Sequence, residues 1–319
     1  MKKFAIVAGE PRSINTEIIT KAWKKLSKFE KKKIFIIGSY SLIKSQIKSN
    51  KIKILAHKFE EKFKNNATSM PIMDVPLNFK NSYKIPNKNS SKYVLKCLDK
   101  AHQLSSENKI IGFINCAIDK KNNFKLKKIG VTEYLSKKNK LKNSEVMMIY
   151  NKKLSVVPLT THISIKKVSR NLNKLLIQKK VETIYKNYKK IFKINPKIAV
   201  LGLNPHNDEF RPNSEEKKII LPAILKLKKL KYNVSGPFSA DTIFMDIKKY
   251  NIVLGMYHDQ VLTPFKALFK FDAINITLGL NYLRVSPDHG TAENIIGKNK
   301  ANPSSLIKCI KFFLKKNKW

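Results

Sequence analysis

Short apolar runs alternate along this chain with longer stretches in which apolar side chains return every three or four positions. The runs at 4–8, 33–38, 51–56, 110–118, 198–203 and 252–256 have the length and content of buried strands. Two more, 146–150 and 154–158, are predicted to pair antiparallel across Asn151-Lys152-Lys153. Between the runs, 15–28 places Ile18, Ile19, Ala22, Trp23 and Leu26 on one helical face. The stretch 90–104 does the same with Val94, Leu95, Leu98 and Ala101, and Ser90 and Ser91 stand where an N-cap would. Further helices are predicted at 41–48, 164–192, 215–231 and 303–316. Residues 57–89, rich in Lys, Asn and Pro, read as an irregular excursion, and 285–300 as a loop. Strand and helix signals that alternate from end to end predict an α/β protein.

Three of the strand-like runs each lead into a histidine. His162 lies in Leu-Thr-Thr-His (159–162), His206 in Gly-Leu-Asn-Pro-His (202–206) and His258 in Met-Tyr-His-Asp-Gln (256–260). In open α/β sheets, ligands gather beyond the carboxyl ends of the strands. Three imidazoles delivered there can share one divalent metal and leave a position for substrate. Asp208 and Asp259 stand close enough in sequence to orient the rings, as ligating imidazoles usually require. The plain alternative for any one histidine is a partly exposed or locally satisfied side chain. His57 and His102, set among charged residues, receive only that reading.

Composition bounds the function. A chain of 319 residues is long enough for two domains with substantial cores. No apolar run approaches the ~20 residues that span a bilayer. The apolar start soon meets Glu10-Pro11-Arg12, which fits a first core strand better than a signal peptide. A cytoplasmic protein without a membrane partner is expected. Cys97, Cys116 and Cys309 have no paired spacing, which argues against a disulfide framework. The net charge of +43 invites a nucleic-acid reading, yet only four of the 65 basic residues are Arg (Arg12, Arg170, Arg211 and Arg284) and the lysines are spread along the whole chain. No specific nucleic-acid binding is expected. Such a field favours a phosphorylated small-molecule substrate.

Several ordered motifs carry a resemblance. Gly-Glu-Pro (9–11), Thr-Glu-Tyr (132–134), Thr-Thr-His (160–162), Gly-Leu-Asn-Pro-His (202–206) and Gly-Pro-Phe-Ser-Ala-Asp-Thr-Ile-Phe (236–244) come first. Met-Tyr-His-Asp-Gln (256–260), Asn-Ile-Thr-Leu-Gly-Leu (275–280) and Asp-His-Gly-Thr-Ala (288–292) follow. The series resembles the 4-hydroxythreonine-4-phosphate dehydrogenase family of pyridoxal phosphate biosynthesis, end to end and most densely from 198 to 303. The resemblance implies a two-domain α/β/α fold like isocitrate and isopropylmalate dehydrogenases, with the active site in the interdomain cleft. Residues 1–125 with 285–319 would form the NAD-binding side, and 126–284 the metal, substrate and dimerisation domain.

The same resemblance implies NAD, a divalent metal (zinc, cobalt, manganese or magnesium) and a homodimer that shares its metal site across subunits. His162, His206 and His258 match the metal ligands, with His258 given by the other subunit. Thr132, Lys266, Asn275 and Arg284 match substrate-binding positions, and Lys266 and Asp259 are the catalytic candidates. His289, Gly290, Thr291 and Ala292, with Asn302, match an adenine-side NAD loop; the plain alternative is a Gly-containing loop before a helix capped by Asn302. The chain has no Gly-x-Gly-x-x-Gly fingerprint, and the superfamily binds NAD without one. The implied reaction is NAD-dependent oxidation of 4-phosphooxy-L-threonine with decarboxylation to 3-amino-2-oxopropyl phosphate.

Three places depart from the family pattern. Val131 replaces a substrate-contacting histidine, Arg12-Ser13-Ile14-Asn15 replaces a glycine-rich turn, and 115–120 replaces a Thr-Gly-Pro segment with its His-Lys. Valine donates no hydrogen bond, and losing one to a charged group costs about 1.5–3 kcal/mol. Arg12 and Lys120 are the candidates to compensate. Two other readings therefore stand beside the first. One is an NAD-dependent dehydrogenase of another phosphorylated hydroxy acid, such as a four-carbon sugar-acid phosphate. The other is a non-catalytic paralogue that binds metal or polyanions.

Overall fold

The computed structural model describes residues 3–59, 67–119, 130–141, 144–270 and 272–316. The strands in chain order are β1 (Phe4–Val7), β2 (Ile34–Gly38), β3 (Ala56–Lys58), β4 (Met70–Asp74), β5 (Gly112–Asn115) and β6 (Val146–Tyr150). They continue with β7 (Ser155–Pro158), β8 (Ile198–Leu201), β9 (Val234–Phe238), β10 (Ile252–Gly255), β11 (Ile274–Leu278) and β12 (Leu283–Pro287). The helices are α1 (Asn15–Lys24), α2 (Lys28–Lys31), α3 (Tyr40–Ser49), α4 (Asn87–Ser106) and α5 (Val131–Lys138). After them come α6 (Val168–Asn171), α7 (Lys174–Phe192), α8 (Leu221–Lys229), α9 (His258–Phe269) and α10 (Ser304–Lys315). The α/β class read from the sequence is the class observed.

Contacts divide the chain into two compact units, 1–135 with 281–319 and 136–280. The sequence-based boundaries stand at 125/126 and 284/285. The shift places Thr132 and Arg284 in the first unit, because β12 pairs in parallel with β5, matching Arg284 with Phe113.

In the first unit the strands run in the order β3-β4-β2-β1-β5-β12, all parallel. β1, β2 and β5 are buried at every position, as strands covered on both faces must be. That explains why they read as unbroken apolar runs. Helix α4 packs on β1, β2 and β5, while α10 packs on β12 and α1. Phe4 stacks on Phe313 with ring centroids 4.7 Å apart, which ties α10 to β1.

In the second unit the order is β11-β6-β7-β10-β8-β9. The β6–β7 pair is antiparallel, as predicted, and β11 pairs antiparallel with β6. β7, β10, β8 and β9 are parallel neighbours. The core on one side joins Val156, Leu201, Val253, Val261 and Phe265.

Several expectations change. β4 lies inside the stretch read as irregular, and β12 begins at Leu283 and runs into the stretch read as loop. β4 is short, contains Pro71, and is recruited by pairing with β2 and β3. The strand expected at 51–56 begins only at Ala56. Helix α4 starts at Asn87, so Ser90 and Ser91 lie inside it; Ser90 is buried and donates to Glu10 Oε1 at 2.6 Å. The helix expected over 164–192 breaks at Leu172, and Asn173 caps α7 by accepting from the Leu176 N–H at 2.8 Å.

Candidate functional site

The second unit brings the three histidine-bearing strand ends side by side. β7, β10 and β8 are consecutive in the sheet, so their carboxyl ends lie about 5 Å from one to the next. Side chains stitch these ends together. Thr160 Oγ1 donates to the Met256 carbonyl at 2.7 Å, joining the β7 end to the β10 end. Gln260 Oε1 accepts from the Met256 N–H at 2.7 Å, while its Nε2 donates to the Gly202 carbonyl at 2.8 Å, joining the β10 end to the β8 end. Gln260 was not singled out in the sequence, where it is one more polar residue in a motif.

Each imidazole has a distinct setting. His162 is exposed and has a left-handed backbone, φ 57°. His258 opens α9, and its Nδ1 sits 2.6 Å from Asp259 Oδ1, so the ring is engaged on its Nδ1 side. Asp259 thus contacts the ring it follows in sequence. The His162 and His258 ring centroids are 6.2 Å apart. His206 Nε2 instead faces Asp241 Oδ2 at 3.6 Å, with 76% of its side chain exposed. Asp208, expected to orient a ring, pairs with Arg211 at 3.4 Å; Asp241 is the partner that sequence distance concealed. Among the described residues no three His, Cys, Asp or Glu side chains gather closely enough to hold a metal ion.

The chain around His206 is unusual. His206, Asn207, Asp208, Glu209 and Phe210 are all left-handed, with φ between 47° and 58°. Such a conformation costs an L-residue roughly 1–2 kcal/mol each. Strain of this size persists where surrounding structure over-determines it, and it clusters at functional sites.

Lys266 lies on α9 eight residues after His258, about 12 Å along the axis at 1.5 Å per residue. Asn275 lies on β11, and its Oδ1 is buried with no hydrogen-bond partner among the described residues. That atom is an acceptor in want of a donor.

In the first unit Arg284 is 3% exposed on β12. Its Nε donates to Asn115 Oδ1 at 2.6 Å, and its Nη1 reaches Thr132 Oγ1 at 3.5 Å. Burial pushes its pKa down to about 10, so it remains charged at neutral pH. Val131, at the start of α5, is buried. The Arg12 guanidinium is held by Glu10 Oε1 at 3.2 Å and Asn87 Oδ1 at 2.5 Å. Lys120, the other candidate to compensate for Val131, lies outside the described residues.

The 288–302 loop is tethered to α1. Ile14 N–H donates to the Thr291 carbonyl at 3.2 Å, and Ala301 N–H donates to Glu17 Oε1 at 2.7 Å. Lys21 Nζ donates to the Asn299 and Ala301 carbonyls at 2.8 and 3.0 Å. Within the loop, His289 Nδ1 lies 3.0 Å from the Gly290 carbonyl, and its Nε2 is buried without a partner among the described residues. Burial lowers the His289 pKa, which keeps Nε2 a bare acceptor. Ala292 is left-handed at φ 48°, and space is open around Gly290. Beside the loop a concave surface is lined by Arg12, Tyr83, Ile85, Pro86, Glu293 and Ile296. Asn302 Oδ1 accepts from the Ser304 N–H at 2.9 Å, a turn bond just ahead of α10, whose N-cap position is Pro303 rather than Asn302.

The chain is 37% identical to 4-hydroxythreonine-4-phosphate dehydrogenase from Sulfurihydrogenibium sp., covering 97% of both proteins. It is 36% identical to the enzyme of that name from Aquifex aeolicus, again over 97% of both. The crystal structure of 4-hydroxythreonine-4-phosphate dehydrogenase from Klebsiella pneumoniae matches with a TM-score of 0.85 at 26% identity, over 99% of each chain. With a buried guanidinium in one unit and strand-end imidazoles in the other, these likenesses define an α/β oxidoreductase that uses a nicotinamide cofactor. The family model of the pyridoxal phosphate biosynthetic protein PdxA matches residues 30–313, and the chain belongs to that family.

Proposed function

We propose that the chain oxidises 4-phosphooxy-L-threonine with NAD and releases carbon dioxide, giving 3-amino-2-oxopropyl phosphate. The observation that carries this reading is the alignment of three histidine-bearing strand ends on adjacent strands, locked by Thr160 and Gln260. NAD supplies the hydride acceptor, and a divalent cation supplies charge stabilisation at the substrate's oxygen.

The residues fit both groups. His289 Nε2 is an orphaned acceptor in an open loop, suited to a donor of the nucleotide. An imidazole set with Asp259 behind His258 suits zinc, cobalt, manganese or magnesium. We propose His162, His206 and His258 as its ligands, with His258 given by a second copy of the chain in a homodimer. Exposed apolar side chains (Ile163, Ile165 and Phe210) near His162 and His206 in the chain support a second copy there.

The remaining roles follow from charge and hydrogen bonding. Arg284 and Thr132 hold an anionic oxygen of the substrate through a planar donor fork and a hydroxyl. Asn275 Oδ1 accepts from the substrate's ammonium or hydroxyl group. Lys266 holds the carboxylate or phosphate, or passes a proton to the carbon that loses carbon dioxide. His289, Gly290, Thr291 and Ala292 line the adenine side of NAD, with Asn302 in the turn just ahead of the helix that follows. Three buried, unbridged cysteines fit the reducing cytoplasm.

The test is NADH formation by purified protein given NAD, a divalent metal and 4-phosphooxy-L-threonine, with a four-carbon sugar-acid phosphate in parallel. Turnover of the first substrate is expected. Turnover of the second alone would move the assignment to another phosphorylated hydroxy acid, as Val131 invites. His206→Ala is expected to lower metal-dependent turnover on the order of 10³-fold while circular dichroism stays unchanged. A fully active His206→Ala protein would overturn the metal assignment.

A further inference from the structure

We propose that Glu216 is a positioning residue for the His206 imidazole, acting through the bend that launches the left-handed turn. The functional consequence of this inference rests on the metal reading above.

Glu216 is 0% exposed, an unusual place for a carboxylate. The hydrogen bonds that satisfy it come from the two residues that precede Pro205-His206. Leu203 N–H and Asn204 N–H both donate to Oε1, at 2.7 and 2.9 Å, and Asn204 Nδ2 donates to Oε2 at 3.2 Å. A carboxylate at the start of a helical segment ordinarily accepts from the N–H groups of its own first turn. Here the described bonds reach back across 12 and 13 residues instead.

The clasp is tight as well as directed. A Cβ placed on Gly202 would lie 2.1 Å from Asn207 Oδ1 and 3.0 Å from Glu216 Oε1. Gly202 therefore lets the chain leave β8 and pass directly beneath the turn. Beyond the clasp, Asn204 makes no side-chain cap, and two backbone bonds close the turn: Asn207 N–H to the Asn204 carbonyl at 3.2 Å and Arg211 N–H to the Asp208 carbonyl at 3.0 Å. Asn207 Nδ2 donates to the Pro237 carbonyl at 3.4 Å, Asn204 Nδ2 also donates to Glu215 Oε2 at 2.9 Å, and Arg211 makes surface ion pairs with Asp208 and Glu209. Surface ion pairs contribute little. Charge-assisted bonds to a buried carboxylate are the strong ones. Glu216, fully buried and holding both backbone N–H groups at the entry to the turn, thus helps over-determine the strained segment and fix where His206 points.

The experiment compares Glu216→Ala and Glu216→Gln in the full-length protein. Glutamine keeps a carbonyl oxygen for the Leu203 and Asn204 N–H groups, whereas alanine removes it. In metal-free protein labelled at histidine, the His206 ring resonances are expected to shift or broaden in Glu216→Ala and to stay near wild type in Glu216→Gln. Cobalt titration is expected to show affinity weakened about 10–100-fold by alanine and largely restored by glutamine. NAD binding by the other unit should be unchanged in both. Should Glu216→Ala not fold, Glu216→Asp, shortened by one methylene, takes its place with the same expectations. Unchanged His206 resonances in folded Glu216→Ala, or in folded Glu216→Asp where that variant takes its place, overturn the proposal, whatever the cobalt titration gives. Wild-type cobalt binding by His206→Ala would overturn the metal reading instead and leave the resonance test to decide this one.

Discussion

The two units carry their functional groups at a free-energy cost of different kinds. In the first, the cost is desolvation: Arg284 is 3% exposed, and among its contacts its Nε donates to Asn115 and its Nη1 reaches Thr132. In the second, it is backbone strain: five consecutive left-handed residues present an exposed His206. A buried cation is ready for an anion before the anion arrives, because no side chain has to be ordered on binding. The exposed imidazoles are instead held by the backbone beneath them. The difference shows that a site can be built by fixing charges inside a core or by fixing the chain that carries them.

The sharpest way to break this contrast is Arg284→Met, which keeps length and removes charge. The substrate KM is expected to rise about 100-fold, while the urea midpoint stays close to wild type, since the desolvation of a buried guanidinium offsets the bonds it makes. A large loss of stability would mean that Arg284 holds the first unit together, and the contrast would fail.

A smaller effect is expected from Glu209→Gly in the second unit. Glu209 has φ 49° and an exposed side chain, so glycine relieves strain without removing a buried contact. Denaturant unfolding should show a gain of about 1 kcal/mol, with turnover close to wild type. A loss of stability at this position would contradict the strain account.

The smallest effect concerns pH. Burial lowers the folded-state pKa of His289 below its ordinary 6.5, so protonation favours the unfolded chain. Its contribution to stability is complete above about pH 6.5 and is lost as pH falls through the lower folded value. The difference in urea midpoint between wild type and His289→Gln should therefore shrink from about pH 7 to pH 5. A difference independent of pH would show that the ring is not held neutral.

Much of this molecule was legible in its residues. Strands buried on both faces, such as β1, β2 and β10, appear as unbroken apolar runs because no position along them meets water. The β6–β7 hairpin was legible from two runs and a polar turn. The histidines could be found because each follows such a run. β4, β9, β11 and β12 were hidden, since short strands with Pro, Asn or Arg gain their identity from the strands they pair with.

What the sequence by itself determined was the α/β alternation, the family likeness and the chemical types at the site. Those depend on local pattern and on residue identity. Only the tertiary structure decided that Asp241 rather than Asp208 faces His206, that Arg284 is clasped by Asn115, and that Glu216 grips the His206 bend. Each of these pairs residues far apart in the chain or against their local propensity. Such pairings are fixed by how the sheet orders its strands, which no local window contains.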